Sequence, residues 1–528
     1  MLTAHKTEDY GLACKSIAEQ IESENIQSVR QVLRVVRNVS SAYHLTTMPK
    51  NEHIIQHLHN IHHKRLLMVK PAKTASGVAV IAVMPKPYEC PHGRCIYCPG
   101  GVEFNTPLSY TGKEPATRVA QGFNYDPYQQ VCSKIEQLQT RGHDTGKTEI
   151  VIVGGTFPFM PVDYQRNFAK SCYDALNGFQ SADLQQSIAA NETAYNRCVG
   201  FTVETKPDYC KEPHIDLMLE LGVTRVEIGV QSLQNDIYEK VNRGHTLDEV
   251  VYAFKIARDS GYKIVAHMMP GLPGSSTDRD IQDFRKLFED EAFKPDMLKI
   301  YPTLVLERTG LFRMQQSGKY HAYSDDEFVD VIVEAKKMVP PWMRIMRVQR
   351  EIESKDIVAG PSSGNLRQII LQKLRQQGYK CRCIRCRETG LQRKYPAEDE
   401  VELRQINYNA SNGTEIFLSY ESRNRDSTLL GFLRLRKVAK SHRKELMTDC
   451  AIVRELHVYG QAVGVGKKEI DGSYQHRGYG MKLLNEAERI AKDELGVSKI
   501  AIISAVGTRQ YYKKLGYYQD GPYVSKEL

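Results

Sequence analysis

The sequence contains no run of about 18 apolar residues, the length a helix needs to cross a bilayer. A helical membrane protein is therefore excluded. The opening stretch Met1–Tyr10 is polar and carries acids rather than an apolar core, so no secretion signal is expected. Without one, the 12 cysteines do not read as a disulfide framework. Six of them fall in two tight groups, Cys90/Cys95/Cys98 and Cys381/Cys383/Cys386. Such grouping in a long chain points to metal binding in a reducing, cytoplasmic setting. The others (Cys14, Cys132, Cys172, Cys198, Cys210 and Cys450) are scattered and read as small buried hydrophobes. A strong charge bias is also lacking. A net charge of +9 permits an anionic partner without demanding one.

Acids are nearly absent from one stretch. Between Ile26 and Thr74, eight Lys/Arg face a single acid, Glu52. Residues 10–24 and 25–39 are expected to be helical. In the second helix Ile26, Val29, Leu33 and Val36 are expected on one face. Arg30, Arg34 and Arg37 make a basic stripe, which Lys64 and Arg65 extend. This is the footprint of a phosphate-backbone binder. The competing reading is a solvated helix face. The histidines here (His44, His53, His57, His59, His62 and His63) match no standard metal spacing and read as packing and RNA-contact residues.

A chain of 528 residues is too long for one core. From Val78 strand and helix patterns alternate, with strands expected at 78–84, 149–153, 199–203, 225–230, 263–267 and 297–301. Repeated β/α units demand a parallel sheet, here an α/β partial barrel. Ligands of such barrels bind at the C-terminal strand ends. The distinctive residues lie there: the loop Cys90–Gly101, Gly154-Gly155-Thr156, Glu204, Gln231, and the loop Met269–Pro273 with Pro270. The C-x4-C-x2-C spacing of the first loop suits an iron–sulfur cluster with one iron free of protein ligands. A zinc knuckle completed by His92 is the alternative.

Farther along, Arg344, Arg347 and Arg350 cluster near Trp342, a pattern compatible with RNA or with ion pairs. Cys381, Cys383 and Cys386 favour zinc, which needs a fourth ligand; His442 is preferred over His457. From about residue 395 the pattern becomes that of a second domain, with strands at 415–419, 429–435 and 451–458. Gln475-His476-Arg477-Gly478-Tyr479-Gly480 then opens a helix from Met481, followed by a strand at 500–505 and by Tyr511-Tyr512. Glycines at a helix start let backbone N–H groups reach a pyrophosphate.

The cysteine loop, the Gly154-Gly155 pair and the barrel around them resemble the radical S-adenosylmethionine superfamily. The Q-x-x-G-x-G helix and Tyr512 resemble the GNAT acetyltransferases, an α+β fold. Their fusion resembles the family of Elongator catalytic subunits, in an archaeal or bacterial single-chain form. Cys90–Gly101, Ser109–Pro115, Glu204–Cys210, Val348–Arg350, Arg454–Gly460 and Gly507–Tyr512 carry the likeness. The resemblance implies a basic helical tRNA-binding segment (1–75), a radical barrel (76–355), a linker with a zinc cluster (356–394) and an acetyltransferase domain (395–528). It implies a 4Fe–4S cluster on Cys90, Cys95 and Cys98. Gly154, Gly155 and Thr156 would then pair with the methionyl amine, and Glu204, Gln231 and Pro270 would meet carboxylate, ribose and adenine. It implies acetyl-CoA contacts from Lys147, from Glu455, Leu456, His457 and Val458 along the pantetheine, and from Gln475, Gly478, Tyr479, Gly480 and Met481 at the pyrophosphate. Tyr512 would protonate the leaving thiolate or pack against the acyl group. The implied reaction is conversion of the tRNA wobble uridine to 5-carboxymethyluridine, with tRNA, acetyl-CoA and an electron donor as partners. A homo-oligomer is left open. Two other classes compete: a protein lysine acetyltransferase with a structural barrel, and a non-catalytic tRNA-binding scaffold.

Overall fold

A computed structural model of the chain describes residues 2–394, 396–424, 427–438, 440–447, 449–460 and 478–528, with side chains from residue 9 onward. The chain opens with four helices, α1 (Leu2–Ser23), α2 (Val29–Ala42), α3 (Asn51–Ile55) and α4 (Ile61–Leu67), around a small core of their own. Ser28 caps α2 by accepting from the Gln31 backbone N–H. The buried face of α2 is Val32, Val35, Val36 and Val39, spaced i, i+3, i+4 and i+7. The expected face is therefore corrected. Val36 lies inward, but Val29 and Leu33 are exposed beside the equally exposed Arg30, Arg34 and Arg37. The valine row is longer and better phased than the row read from Ile26.

The central unit is an open barrel of seven parallel strands in sequential order: β1 (Ala79–Val83), β2 (Lys147–Ile152), β3 (Arg197–Thr205), β4 (Arg225–Gln231), β5 (Lys263–Met268), β6 (Met297–Ile300) and β8 (Arg344–Arg347). A short pair, β7 (Val305–Leu306) and β9 (Ile357–Ala359), flanks it. Six barrel strands were expected, and the arginine-rich β8 was read as a basic patch instead. Its Ile345 is fully buried and its ladder to β6 closes the row.

The barrel is inverted relative to a packed one. Outward-facing Ala79, Ile81 and Val83 of β1 are fully buried beneath helices. Inward-facing Val80 and Ala82 border open space, and Val80 is 47% exposed. Interiors of closed barrels are normally filled by layers of Val, Ile and Leu. This interior is hollow and polar.

The second sheet runs β10 (Val401–Ala410), β11 (Gly413–Ser422), β12 (Leu429–Lys437), β13 (Cys450–Val458), β14 (Lys499–Ile502), β16 (Tyr523–Glu527), β15 (Tyr518–Asp520). All its pairs are antiparallel except β13 with β14. That parallel ladder stops at Val453↔Ile502, while β13 continues to Val458 on β12 alone. The two strands splay into a cleft, so β14 is shorter than the expected strand at 500–505. A register shift opposite Arg434 and Leu435 leaves Arg454 as a bulge.

The sheet sits on the N-terminal rim of the barrel. Arg258, Arg434, Arg436 and Arg454 are all fully buried there. Arg454 donates to both carboxylate oxygens of Asp296 (2.6 and 2.8 Å) and to Glu415 (2.8 Å). Arg436 reaches Asp259 (2.9 Å) and Glu415 (3.0 Å), and Arg434 reaches Glu455 (2.9 Å). These four arginines face four carboxylates and balance them in charge, which is how buried ions are tolerated, while Arg258 Nε and Nη1 and Arg434 Nη1 make no hydrogen bond. The described residues contain no helix long and apolar enough to cross a membrane.

Candidate active sites at the two ends of the barrel

At the C-terminal ends of the strands lies a cavity of about 380 Å³. Cys90, Cys95 and Cys98 form part of its wall, together with Gly154, Gly155, Thr156, Glu204 and Gln231. All 12 cysteines of the chain are free thiols. The first three are set among basic side chains. His92 Nε2 lies 3.2 Å from Cys95 Sγ, Lys206 Nζ 3.0 Å from His92 Nδ1, and Arg243 Nη1 3.8 Å from Cys95 Sγ. The Cys95 thiol is pushed well down, by the Cys98 hydrogen bond first and against burial, with help from His92 and Arg243.

Gly154 and Gly155 have φ of +127° and +118°, a conformation glycine adopts freely. Gly154 N–H donates to Glu204 Oε2 (3.0 Å). A Cβ on Gly155 would project into open space. Gln231 is also left-handed (φ +74°), and its buried Oε1 has no hydrogen-bond partner. Strain and an orphaned acceptor at a cavity wall mark a ligand-facing position. Pro270 does not line the cavity; its neighbour Met269 does. Arg347 and Arg350 stand at the same cavity, Arg347 paired with Glu351 (3.1 Å) and Arg350 donating to the Ser109 carbonyl. They are not part of the basic face of α2.

A second cavity, about 300 Å³, opens at the N-terminal ends of the strands, under the splayed β13 and β14. Glu455, Leu456, His457, Lys263 and Tyr512 line it. Burial pushes the Tyr512 phenol up, so it stays protonated. Burial lowers Lys263 to about 8. His457 Nε2 lies 3.0 Å from the Ser76 carbonyl. Lys147 opens β2 on this rim, in register with Arg197, but lies outside the cavity lining. Burial lowers its amine to about 8, against the pull of Asp144. Gly478 (φ +79°) precedes the helix Tyr479–Arg489; Tyr479 is buried, Gly480 faces Val458 and Tyr511, and Met481 is exposed. Gln475 lies outside the described residues.

The thiols of Cys381, Cys383 and Cys386 lie within 4.8 Å of one another, close enough for a single ion. Among the described residues His442 does not join them. Its Nε2 lies 2.7 Å from Asp216 Oδ1, which also accepts from Arg443, and this pairing on the outer face of the barrel holds it away. The buried Lys336 ammonium stands 3.4 Å from Cys381 Sγ instead.

Sequence reading missed the polar interior. Glu227 Oε2 accepts from His267 Nε2 (2.8 Å) and from Lys299. Burial opposes its charge, yet Lys299, His267 and Arg225 hold its carboxyl well below the usual range. The available signal was charge at alternate strand positions, Arg225-x-Glu227 and Lys263-x3-His267, where a buried parallel strand should be continuously apolar.

Comparison with known proteins agrees with this geometry. Residues 10–75 match the ELP3 N-terminal domain, 85–288 the radical SAM superfamily, 295–376 the radical SAM C-terminal domain and 384–517 the GNAT acetyltransferase family. The chain is 46% identical over 490 residues to a tRNA uridine(34) acetyltransferase of Methanocaldococcus jannaschii, covering 91% of this chain and 90% of that protein. It is 44% identical over 535 residues to Elongator complex protein 3 of Schizosaccharomyces pombe, covering 98% of each. It belongs to the Elongator complex protein 3 family. The solved structure of Methanocaldococcus infernus Elp3 with an N-terminal deletion superposes with a TM-score of 0.77 at 42% identity, over 86% of this chain and 100% of that one.

The radical SAM superfamily implies a 4Fe–4S cluster and S-adenosylmethionine, and the GNAT family implies acetyl-CoA. The residues present fit these groups. Cys90, Cys95 and Cys98 are not gathered as tightly as the second triplet, which suits a polynuclear cluster better than one ion. The glycine pair and the orphaned Gln231 oxygen supply a cradle beside them. The splayed strands and the glycine-led helix supply an acyl-CoA cleft in this member of the Elongator complex protein 3 family.

Proposed function

We propose that this protein converts the wobble uridine of tRNA anticodons to 5-carboxymethyluridine, with acetyl-CoA as the carbon source. The observation that carries this reading is the placement of a three-thiol cavity and an acyl-CoA cleft at opposite ends of one hollow barrel. Carbon 5 of uracil is not acidic enough for ordinary acylation, so an acetyltransferase cleft alone does not account for the thiol site. A cluster held by Cys90, Cys95 and Cys98 would supply one-electron chemistry to S-adenosylmethionine, enough to remove a hydrogen atom from the unactivated acetyl methyl group. The acetyl carbon would then bond to carbon 5 of uracil, the ring would return one electron to the donor couple and release one proton to solvent, and water would hydrolyse the thioester to free coenzyme A.

The chain's own residues hold and steer these partners. Cys90, Cys95 and Cys98 hold the cluster, and Arg243 and Lys206 offset its thiolate charge. Gly154, Gly155, Thr156 and Glu204 receive the methionine amine, with Gln231 and the Met269–Pro270 turn around the nucleoside. Glu455, Leu456, His457 and Val458 run along the pantetheine, and Gly478, Tyr479, Gly480 and Met481 start the helix at the pyrophosphate. Tyr512 returns a proton to the departing thiolate. Exposed Arg30, Arg34 and Arg37, with Lys64 and Arg65, receive the tRNA backbone, and Arg347 and Arg350 receive the anticodon at the cavity mouth. Cys381, Cys383 and Cys386 hold one zinc ion, with neither His442 nor His457 among its ligands. The reaction requires an electron donor and places the enzyme in the cytoplasm with its substrate.

Anaerobic incubation of the reconstituted protein with tRNA, acetyl-CoA, S-adenosylmethionine and reductant, followed by nucleoside analysis, tests the proposal. Formation of 5-carboxymethyluridine supports it. Acetylated lysine peptides with unmodified tRNA overturn it.

A further inference from the structure

The cavities at the two ends of the barrel share a wall. Val80, Glu149, Arg225 and Met346 line both of them. These residues belong to β1, β2, β4 and β8, so they form one layer across the bore. Val80 is opposite Glu149 in register, and Arg225 is opposite Thr202. Glu149 and Arg225 form an ion pair across this layer. Thr202 Oγ1 donates to Glu149 Oε1 (3.1 Å). Room for the Glu149 side chain comes from Gly200, where an added Cβ would lie 3.1 Å from Glu149 Cγ. Arg225 Nε is buried and has no hydrogen-bond partner. An unpartnered donor in the middle of a polar bore is costly unless something visits it.

We propose that this layer is a gated passage, through which the acetyl end of an acyl thioester crosses from the lower cavity to the upper one. The inference rests on the functional reading above and adds its route. Separation of the Glu149–Arg225 pair opens the bore, and Arg225 Nε–H donates to the thioester carbonyl as it passes. Glu227 lies one step higher, 4.0 Å from Arg225. The pair thereby keeps the lower and upper cavities apart until an acyl group is present. Two apolar residues, Val80 and Met346, complete the rim and suit a methyl group.

Cysteine substitutions on β1 and at the residue before it test the route without relying on turnover. Val78, immediately before β1, lines only the lower cavity and Ala82 only the upper, about 13 Å apart along the extended chain. Bromoacetyl-CoA is applied to the anaerobically reconstituted protein without S-adenosylmethionine, and alkylated positions are mapped by mass spectrometry. Both Val78→Cys and Ala82→Cys are expected to be alkylated. Adding Val80→Trp, which fills open space, is expected to slow labelling at position 82 at least tenfold and leave position 78 unchanged. Gly200→Val, which drives Glu149 into the bore, is expected to do the same and guards against a misfolded tryptophan variant. Thermal melting and iron content confirm the fold of each. No labelling at position 82, or labelling that both plugs leave unchanged, overturns the passage. Normal uridine modification by Val80→Trp also overturns it while the functional reading stands. Gated labelling in a protein that makes no modified uridine overturns that reading and leaves the passage intact.

Discussion

At the C-terminal ends of the barrel strands, polar groups are left wanting: Gln231 Oε1 has no partner, Gln231 and the Gly154-Gly155 pair are left-handed, and three thiols line open space, with Cys95 against His92 and Arg243. At the N-terminal ends, buried arginines meet buried carboxylates in a balanced network, and a second domain roofs the rim. Barrels of this kind usually keep chemistry at the first end and stability at the second. On the function proposed above, the second end does both here. The bulged Arg454 ties β13 to the barrel, and beyond it the strand is free to splay from β14 and open the acyl cleft. Stability at the lower end is thus concentrated beside the cleft rather than within it.

The largest effect belongs to the upper end. Cys95→Ala should abolish bound iron and cleavage of S-adenosylmethionine while leaving acetyl-CoA affinity at the wild-type value. Iron analysis and calorimetry read the two ends separately, and a loss of both would show that the ends are not independent. Next, at the lower end, Tyr512→Phe should slow tRNA-dependent acetyl-CoA turnover by about 10²-fold, the low end of a positioned general acid, with iron content unchanged. An unaffected rate would mean that the ring only packs.

The third comparison sets the arginine network against the second cysteine triplet. Arg454→Met strands Asp296 and Glu415 and should cost about 3–5 kcal/mol, the penalty for removing one partner of a buried ion pair. Cys383→Ser should release one zinc ion per chain, retain iron and destabilise less than Arg454→Met. If the cysteine variant proves the more damaging in denaturant titration, the triplet, not the arginine network, is the main joint between barrel and acetyltransferase sheet. The smallest effect is one of pH. Burial disfavours the Lys147 ammonium and brings its pKa to about 8, so the cation is lost as pH rises through that value. Acetyl-CoA affinity should weaken severalfold between about pH 7 and 9 as this charge and that of Lys263 in the cleft are lost, and Lys147→Met should bind more weakly with a shallower dependence.

Much of this was legible in the chain because loop chemistry is local. Cysteine spacing, Gly154-Gly155 and Gly478-x-Gly480 state their conformational needs within a few residues, and strand–helix alternation announced the barrel. What was hidden depends on partners distant in sequence. β8 has only Ile345 fully buried, so nothing apolar marked it as a strand. The charges of Glu149, Arg225, Glu227 and Lys299 come together inside one bore only through the packing of β2, β4 and β6. His442 was the nearest histidine in sequence to the second triplet, but its partner Asp216 came from a barrel helix that no spacing rule connects to it. The arginines of β12 alternate with leucines, the pattern of a half-exposed strand. Only docking on the barrel rim buries both faces.

The central claim is that one reaction spans both ends of the barrel, and isotope transfer tests it most directly. Acetyl-CoA carrying a fully deuterated methyl group is incubated anaerobically with the protein, S-adenosylmethionine, reductant and tRNA, and both products are examined by mass spectrometry. The account predicts deuterium in 5′-deoxyadenosine and in the methylene group of 5-carboxymethyluridine, both dependent on tRNA. 5′-Deoxyadenosine free of deuterium, formed alongside ordinary acetyl transfer, would contradict it.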